Sequence, residues 1–214
     1  MTVQWLVRLA LVAAALAACT INAPARVAPA LYGIGEAQAV ARERPPIPGT
    51  LMIPAVAAPA WLDTTGIVYR LVYEEANRLR AYNESRWVAT PATLLTEELR
   101  SRFAGAVERV VSGVDGARAD EVLRIELEDY TQTFSAPGRS KVSLRARATL
   151  VDRRTREVVA QRTFGVEQDA PPNAAGAAAA LAESSAGFIE NLLDWVAQNL
   201  KNSGAASTAE RSAR

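Results

Sequence analysis

The chain has 214 residues, with 24 basic and 23 acidic side chains, one cysteine and no histidine. The lack of histidine excludes Ser-His-Asp and Cys-His catalytic sites and removes the commonest imidazole ligand of zinc, so we expect no metal site. The balanced charge argues against nucleic-acid binding, which needs a basic face. No glycine-rich phosphate loop of standard spacing is present. A catalytic pair of carboxylates is possible in principle, but no pair stands out.

Residues 1–18 are typical of a secretory signal peptide. Arg8 precedes an apolar run from Leu9 to Ala18, and small residues stand immediately before Cys19. The run is shorter than the roughly 20 apolar residues that a membrane-spanning helix needs. We therefore expect an exported protein from which these residues are removed.

The Leu-Ala-Ala-Cys sequence that ends at Cys19 resembles the lipobox of bacterial lipoproteins. This resemblance implies a diacylglyceryl group on the Cys19 thiol and a further acyl chain, such as palmitate, on its amine. Thr20 stands where an Asp would retain such a protein at the inner membrane, so the resemblance implies the periplasmic face of the outer membrane. The alternative is a plain secretory peptide with an incidental cysteine, although a free thiol is a liability in an oxidising compartment.

Composition divides the mature chain into three parts. Residues 19–48 are expected to hold the acylated cysteine and a flexible tether, because prolines and small residues are frequent there. Residues 49–202 are expected to form one domain. The polar and small residues of 203–214 predict a disordered tail.

Strands followed by a helix are predicted in the first half of the domain. Leu51–Val56 is an apolar run interrupted by a proline and is expected to form an edge strand. Ile67–Tyr73 and Leu79–Val88 are rich in aromatic and β-branched residues, and we expect them to pair as a hairpin. A helix should begin at the Thr90-Pro91 pair, and Gly113 and Gly116 should end it. Its apolar stripe consists of Leu95, Leu99, Phe103 and Val107.

Three antiparallel strands are predicted in the second half. Apolar and polar residues alternate on both sides of Pro137-Gly138, a turn dipeptide. A hairpin centred on this turn pairs Ala136 with Arg139, and a third strand, Val158–Val166, pairs back on the second. The expected partners are Leu127 with Ala148, Ile125 with Leu150, Glu128 with Arg147, Leu150 with Val158, Ala148 with Ala160 and Leu144 with Phe164.

A long helix is expected to close the domain. Two prolines end the third strand, and Asn173 is a suitable N-cap. The main apolar stripe of this helix consists of Leu181, Phe188, Leu192 and Trp195. The order of elements predicts a single α+β domain in which two helices pack on an antiparallel or mixed β-sheet.

Several stretches resemble the ABC-type transport auxiliary lipoproteins, a group that includes paraquat-inducible protein C and YmbA-like proteins. They are Trp61–Asp63, Gly66–Arg70, Tyr82–Pro91 and Asp194-Trp195. The resemblance implies an outer-membrane lipoprotein that docks the mammalian-cell-entry (MCE) domain protein of an inner-membrane ABC transporter, in a system that moves lipids across the periplasm. It implies no enzymatic activity and no cofactor other than the covalent lipid on Cys19.

Aromatic residues and an arginine predict a partner-binding surface. Tyr82, Arg86 and Trp87 lie on one strand, and Tyr, Trp and Arg are enriched at interface hot spots. In the expected hairpin register, Tyr130 and Phe134 lie on the face opposite the apolar stripe and need cover from a helix or from another subunit. The partner is an MCE protein or a second copy of the chain. Ordinary packing of half-buried aromatic residues in a sheet is the alternative explanation of Trp87 and the tyrosines.

Two other functions remain compatible with the sequence. A lipid-binding carrier module would need a sizeable apolar cavity. An assembly or activating factor for another envelope machine could have the same fold, because fold alone does not determine function.

Overall fold

The computed structural model describes residues 28–35, 46–114 and 116–212, with the side chains of the last helix described up to residue 200. The predicted signal peptide and Cys19 lie outside the described residues. The helices are α1 (Val72–Glu75), α2 (Pro91–Ala106) and α3 (Ala174–Ser212). The strands are β1 (Ala30–Tyr32), β2 (Ile47–Met52), β3 (Gly66–Leu71), β4 (Leu79–Trp87), β5 (Val107–Val111), β6 (Glu121–Ala136), β7 (Arg139–Asp152) and β8 (Val158–Ala170).

The strands form one mixed sheet of eight strands around β6, which has 16 residues. Antiparallel β7 runs along one side of β6, and β8 lies outside β7. Parallel strands share the other side: β2 pairs with the beginning of β6 and β3 with its end. Strand β5 lies outside β2, and β4 followed by β1 lies outside β3. The predicted α+β domain with two helices on a mixed sheet is confirmed, with the short α1 added.

Helix α2 begins as predicted and ends early. The Thr90 hydroxyl accepts the backbone N–H of Thr93 at 3.4 Å, and Pro91 occupies the first turn. Leu95, Leu99 and Phe103 are fully buried, as the stripe predicted. The helix ends at Ala106, however, and its expected last turns form strand β5. The cluster of valines at 107, 110 and 111 accounts for the change, because β-branched side chains favour strands.

The expected edge strand Leu51–Val56 is wrong in position and in type. The observed strand β2 is Ile47–Met52, and it lies between β5 and β6. Its proline, Pro48, lies at the irregular start of the strand, where the register shifts between Ile47 and Thr50. Strand β1 and the start of β2 also fall within the range expected to be a flexible tether.

The turn of the β6–β7 hairpin is confirmed, because Ala136 lies opposite Arg139. Beyond the turn the register shifts by one residue between Phe134 and Ala136, and again between Leu127 and Asp129. Each shift is a β-bulge, in which one strand carries an extra residue. The expected partners are therefore wrong by two residues. The observed partners are Leu127 with Ala146, Ile125 with Ala148, Leu123 with Leu150 and Glu126 with Arg147.

The bulge at Glu128 changes the face on which Tyr130 and Phe134 lie. Tyr130 is opposite Leu144, which is fully buried on the face covered by α3. Phe134 is opposite Ser140, which is also buried. The expectation that both aromatic rings lie opposite the apolar face is wrong, because one extra residue reverses the alternation of a strand.

The β7–β8 pairing is antiparallel as predicted, but its register also differs by two residues. Residues 153–155 form the turn, and the register shifts just before it in β7, between Leu150 and Val151. The observed partners are Leu150 with Ala160, Ala148 with Arg162, Ala146 with Phe164 and Leu144 with Val166.

Helix α3 packs across β7 and β8 and also contacts α2. The Asn173 side chain accepts the N–H of Gly176 at 2.8 Å, which confirms the predicted N-cap. All four residues of the expected stripe are buried, at 0 to 8% exposure. The helix continues to Ser212, so the backbone of residues 203–212 is helical rather than disordered as expected.

Candidate interaction surface

Trp87 and Tyr130, both predicted to bind a partner, belong to the hydrophobic core. Each is only 1% exposed, and their ring centroids lie 5.6 Å apart. The Tyr130 hydroxyl hydrogen-bonds the Ser185 hydroxyl of α3 at 3.1 Å, and burial raises the pKa of Tyr130 above its usual value. These two residues join the sheet to α3, so neither can contact a partner in the folded domain.

Tyr82 and Phe134 form a second internal cluster with Tyr69. The centroid of the Tyr69 ring lies 4.7 Å from that of Tyr82 and 5.9 Å from that of Phe134. The Tyr82 hydroxyl donates to Oε1 of the fully buried Gln132 at 2.7 Å. Burial, and secondarily the neighbouring Tyr69, raises the pKa of Tyr82 to about 12. Because Gln132 is held in turn by the Pro171 carbonyl at 2.9 Å, this cluster fixes the end of the sheet to the start of α3.

Arg86 is the one predicted partner-binding side chain that is exposed. It lies opposite Leu31 of β1, which is 61% exposed, and two residues before Val88, which is 55% exposed. Alternation along the strand places all three on the face turned away from Trp87. We refer to Leu31, Arg86 and Val88 as the edge patch.

Strand β1, which carries Leu31, ends one side of the sheet among the described residues and pairs only with β4. Within the described ranges no strand pairs with its outer side, and sheet edges of this kind can accept an added strand. Sequence patterning missed Leu31 and Val88 because neither belongs to a dense aromatic cluster. The signal that could have identified Leu31 and Val88 is that they are apolar residues on both sides of the exposed Arg86.

The face of β6 and β7 that is turned away from α3 carries paired charges. Arg145 Nε lies 3.0 Å from Glu128, and Arg147 forms an ion pair with Glu126. The bulge at Glu128 makes Glu126 rather than Glu128 the register partner of Arg147, but the predicted ion pair is present, with Arg147 Nε 3.8 Å from Glu128. The opposite charges of these pairs neutralise one another.

Trp61 and Arg70 lie in two of the stretches that carry the family resemblance, and they meet in the fold. The Arg70 guanidinium lies 5.5 Å from the centroid of the Trp61 ring, within the range of a cation–π contact. The contact joins β3 to the segment that precedes it. Packing therefore accounts for both residues.

Three carboxylates lie close together at the beginning of β6. Burial, with added repulsion from Asp120 and Asp152, raises the pKa of Glu121 to about 7. Asp120 accepts the backbone N–H of Thr50 at 2.8 Å. Among the residues that the structure describes, no group of acidic, cysteine or histidine side chains is arranged to hold a metal ion.

A cavity of about 220 Å³ lies beside the beginning of α2. Its lining includes the side chains of Asp63, Thr90 and Thr93. This volume lies below the roughly 300–1,000 Å³ of sites for drug-sized ligands, and a phospholipid is larger still. This cavity is therefore too small to hold a phospholipid.

In the described part of the chain, none of the helices combines the length and hydropathy that crossing a bilayer requires.

Comparison with known proteins identifies relatives of the whole domain. Residues 32–192 match the sequence model of a family described as the ABC-type transport auxiliary lipoprotein component. A search of curated proteins finds no match.

Two solved structures share the fold. The crystal structure of protein XCC0632 from Xanthomonas campestris has a TM-score of 0.72 at 18% identity, and the match covers 82% of this chain and 98% of that chain. A crystal structure of an uncharacterized protein has a TM-score of 0.61 at 16% identity, with 79% of this chain and 99% of that chain covered.

Proposed function

Because the chain belongs to the family of ABC-type transport auxiliary lipoprotein components, we propose that it is a lipid-anchored, non-enzymatic part of an ABC transport system and docks the MCE-domain protein of that system. The family match covers residues 32–192 and so includes all eight strands except the start of β1. The cargo is lipid, and the protein stands on the periplasmic face of the outer membrane, as Thr20 after Cys19 implies.

Exposure of Arg86 beside an open strand edge is the observation that carries the docking proposal. The planar guanidinium of Arg86 can donate two parallel hydrogen bonds to a carboxylate of a partner, or it can hydrogen-bond a backbone carbonyl. Leu31 and Val88 add apolar area on both sides of it. A central arginine with apolar neighbours is a typical hot-spot arrangement.

Replacement of Arg86 by glutamate tests the docking surface. The side chain is exposed, so Arg86→Glu should fold normally and keep its membrane anchor. Its co-purification with the MCE protein should fall by about 30-fold or more, which corresponds to the loss of a hot-spot contact of about 2 kcal/mol.

Arg124→Glu is the matched control, because Arg124 is also an exposed arginine on a strand, at a distance from the edge patch. This variant should bind the MCE protein as the wild type does. Equal binding by Arg86→Glu and wild type would place the interface elsewhere, and equal weakening by both variants would show a nonspecific charge effect.

Anchoring is tested separately at Cys19. Serine lacks the thiol that receives the diacylglyceryl group, so Cys19→Ser should accumulate as unprocessed precursor and take up no labelled palmitate. Palmitate incorporation equal to that of the wild type would contradict the lipoprotein assignment of this residue.

A further inference from the structure

Exposed apolar side chains gather at one end of the sheet. Val72 and Tyr73 of α1 and Leu79 at the start of β4 are 45%, 42% and 39% exposed. They lie within eight residues of one another at the tip of the β3–β4 hairpin. We refer to these three residues as the tip patch.

Two ion pairs border the tip patch. Arg78 lies 3.1 Å from Glu75, and Arg80 lies 2.9 Å from Glu74. A neutral rim reduces the cost of bringing this end of the molecule to a surface of lower polarity, because an unpaired charge loses more solvation than a paired one. Tyr73 adds an amphipathic ring of the kind that is enriched where lipid meets water.

The same end of the fold is formed by turns and by the start of a helix. Leu71 of β3 lies beside Phe134 of β6, so α1 stands next to the exposed Pro137-Gly138 turn. Ser140 lies opposite Ala170, which places the beginning of α3 at this end as well. Val158, at the start of β8, lies about 40 Å away at the opposite end, given roughly 3.4 Å per residue of strand.

The direction of β1 relates the tip patch to the lipid-bearing cysteine. Strand β1 is parallel to β4, with Ala30 beside Ser85. The chain therefore enters β1 from the side of Leu79, which lies six residues earlier in β4 and about 20 Å away. Cys19 precedes Ala28, the first described residue, by nine residues, and at about 3.5 Å each these reach at most about 32 Å.

We propose that the tip patch rests on the phospholipid surface in which the acyl chains of Cys19 are embedded. The short connection holds the domain close to this surface, and the chain approaches β1 from the end that carries the patch. Insertion of Val72, Tyr73 and Leu79 at the headgroup boundary covers their apolar area, as in other interfacial segments. The proposal rests on the acylation of Cys19 that is part of the proposed function.

Lipid-borne quenching of a fluorophore tests this orientation. The acylated full mature chain is labelled at Tyr73→Cys with an environment-sensitive dye and placed in vesicles of phosphatidylethanolamine and phosphatidylglycerol that contain an acyl-chain spin label. Cys19 is the only cysteine of the chain, and its acylated sulfur does not react, so the introduced thiol takes the dye. Val158→Cys is the matched control, since Val158 is exposed and lies at the opposite end.

Quenching at position 73 should exceed quenching at position 158 by at least about fivefold, because interfacial side chains lie within roughly 5–10 Å of the acyl boundary. Leu79→Cys should give the same result and replaces Tyr73→Cys if that variant does not fold. Equal quenching at both ends overturns the proposal. A dye at position 73 that is shielded from water but not quenched by lipid also overturns it, since a protein then covers the patch.

Acylation is measured on the same samples by the mass of the mature chain. If the chain carries no lipid, the proposed anchor fails, and the orientation fails with it. If the chain is acylated and the tip is not quenched, only the orientation fails.

Discussion

Gly176 occupies the first turn of α3 at a point where no larger residue fits. A Cβ atom at this position would lie 2.5 Å from Cβ of Pro171 and 2.6 Å from its carbonyl oxygen. Pro171 cannot withdraw freely, because its carbonyl accepts hydrogen bonds from Gln132 at 2.9 Å and from the N–H of Asn173 at 2.8 Å. Gly176→Ala should therefore disturb the N-cap of α3 and the buried amide of Gln132 together.

The expected magnitude follows from two opposing effects. Alanine in place of glycine within a helix ordinarily stabilises a protein by about 0.5–1 kcal/mol. Forcing a methyl group into a filled space costs about 1–3 kcal/mol, and a strained hydrogen bond at Gln132 adds to this. Gly176→Ala should therefore lower the free energy of unfolding by about 1–3 kcal/mol, which corresponds to a fall in Tm of about 2–12 °C for a domain of this size.

Gly187 provides the matched control in the same helix. A Cβ atom there would meet no heavy atom within 4 Å, so Gly187→Ala should raise the free energy of unfolding by about 0.5–1 kcal/mol. Thermal and urea unfolding of the wild type and both variants, followed by circular dichroism, measures the difference. A Gly176→Ala variant that is as stable as Gly187→Ala would refute the reasoning, because it would show that Pro171 moves aside without cost.

Three further changes test the packing, the electrostatics and the capping. Trp195→Ala should destabilise the fold by about 3–5 kcal/mol, because the ring is 8% exposed and packs edge-on against Phe164 at 5.9 Å; an unchanged urea midpoint would contradict this. The pKa of Glu121 is raised from 4.5 to about 7 in the fold, so protonated Glu121 contributes to the free energy of unfolding. This contribution is fully present below pH 4.5 and is lost as the pH rises through 7. Glu121→Gln should therefore be more stable than the wild type at pH 8, by about 1 kcal/mol or less after solvent screening, and equally stable at pH 4; the same difference at both pH values would argue against it. Thr90→Ala should cost about 1 kcal/mol through loss of the bond from Thr93, measured by thermal unfolding, and no change in Tm would show that the cap contributes nothing.

Local signals in the sequence predicted where both long helices begin and where the β6–β7 hairpin turns. The Thr90-Pro91 pair, the Asn173 cap and the Pro137-Gly138 turn all lie where capping and turn chemistry placed them. Such signals depend on a few neighbouring residues, so a single sequence contains them completely. The buried stripes of α2 and α3 follow for the same reason, because helical periodicity is local.

The register of the β6–β7 pairing could not be predicted from such local signals. The sequence Leu127-Glu128-Asp129-Tyr130 places two polar residues side by side, and this break in alternation marks the bulge that turns Tyr130 inwards. Read as a regular strand, it assigns Tyr130 to the wrong face. A buried tyrosine was consequently mistaken for a contact residue.

Nonlocal pairing accounts for the other differences. Parallel β2 and β3 share one side of β6, and nothing near either strand in the sequence indicates that partner. Packing in the sheet was one of two explanations that the sequence left open for Trp87, and the neighbours that decide for it, Tyr32 and Tyr130, come from distant strands. Of the expected contact residues, Arg86 alone is exposed, since charge and length favour exposure in any register.

Strand β4 relates the two proposed surfaces to one another. Leu79 of the tip patch and Arg86 of the edge patch are seven residues apart on this strand, which is about 23 Å at the rise of a strand. If the tip rests on the membrane, Arg86 stands above the headgroups, and β1 presents its open edge there rather than in the lipid. The direction of α3 agrees with this arrangement, because the helix starts at the tip end and runs along the sheet towards the opposite end. An MCE protein that reaches the edge patch must therefore approach from the side of the domain, with the membrane beneath it.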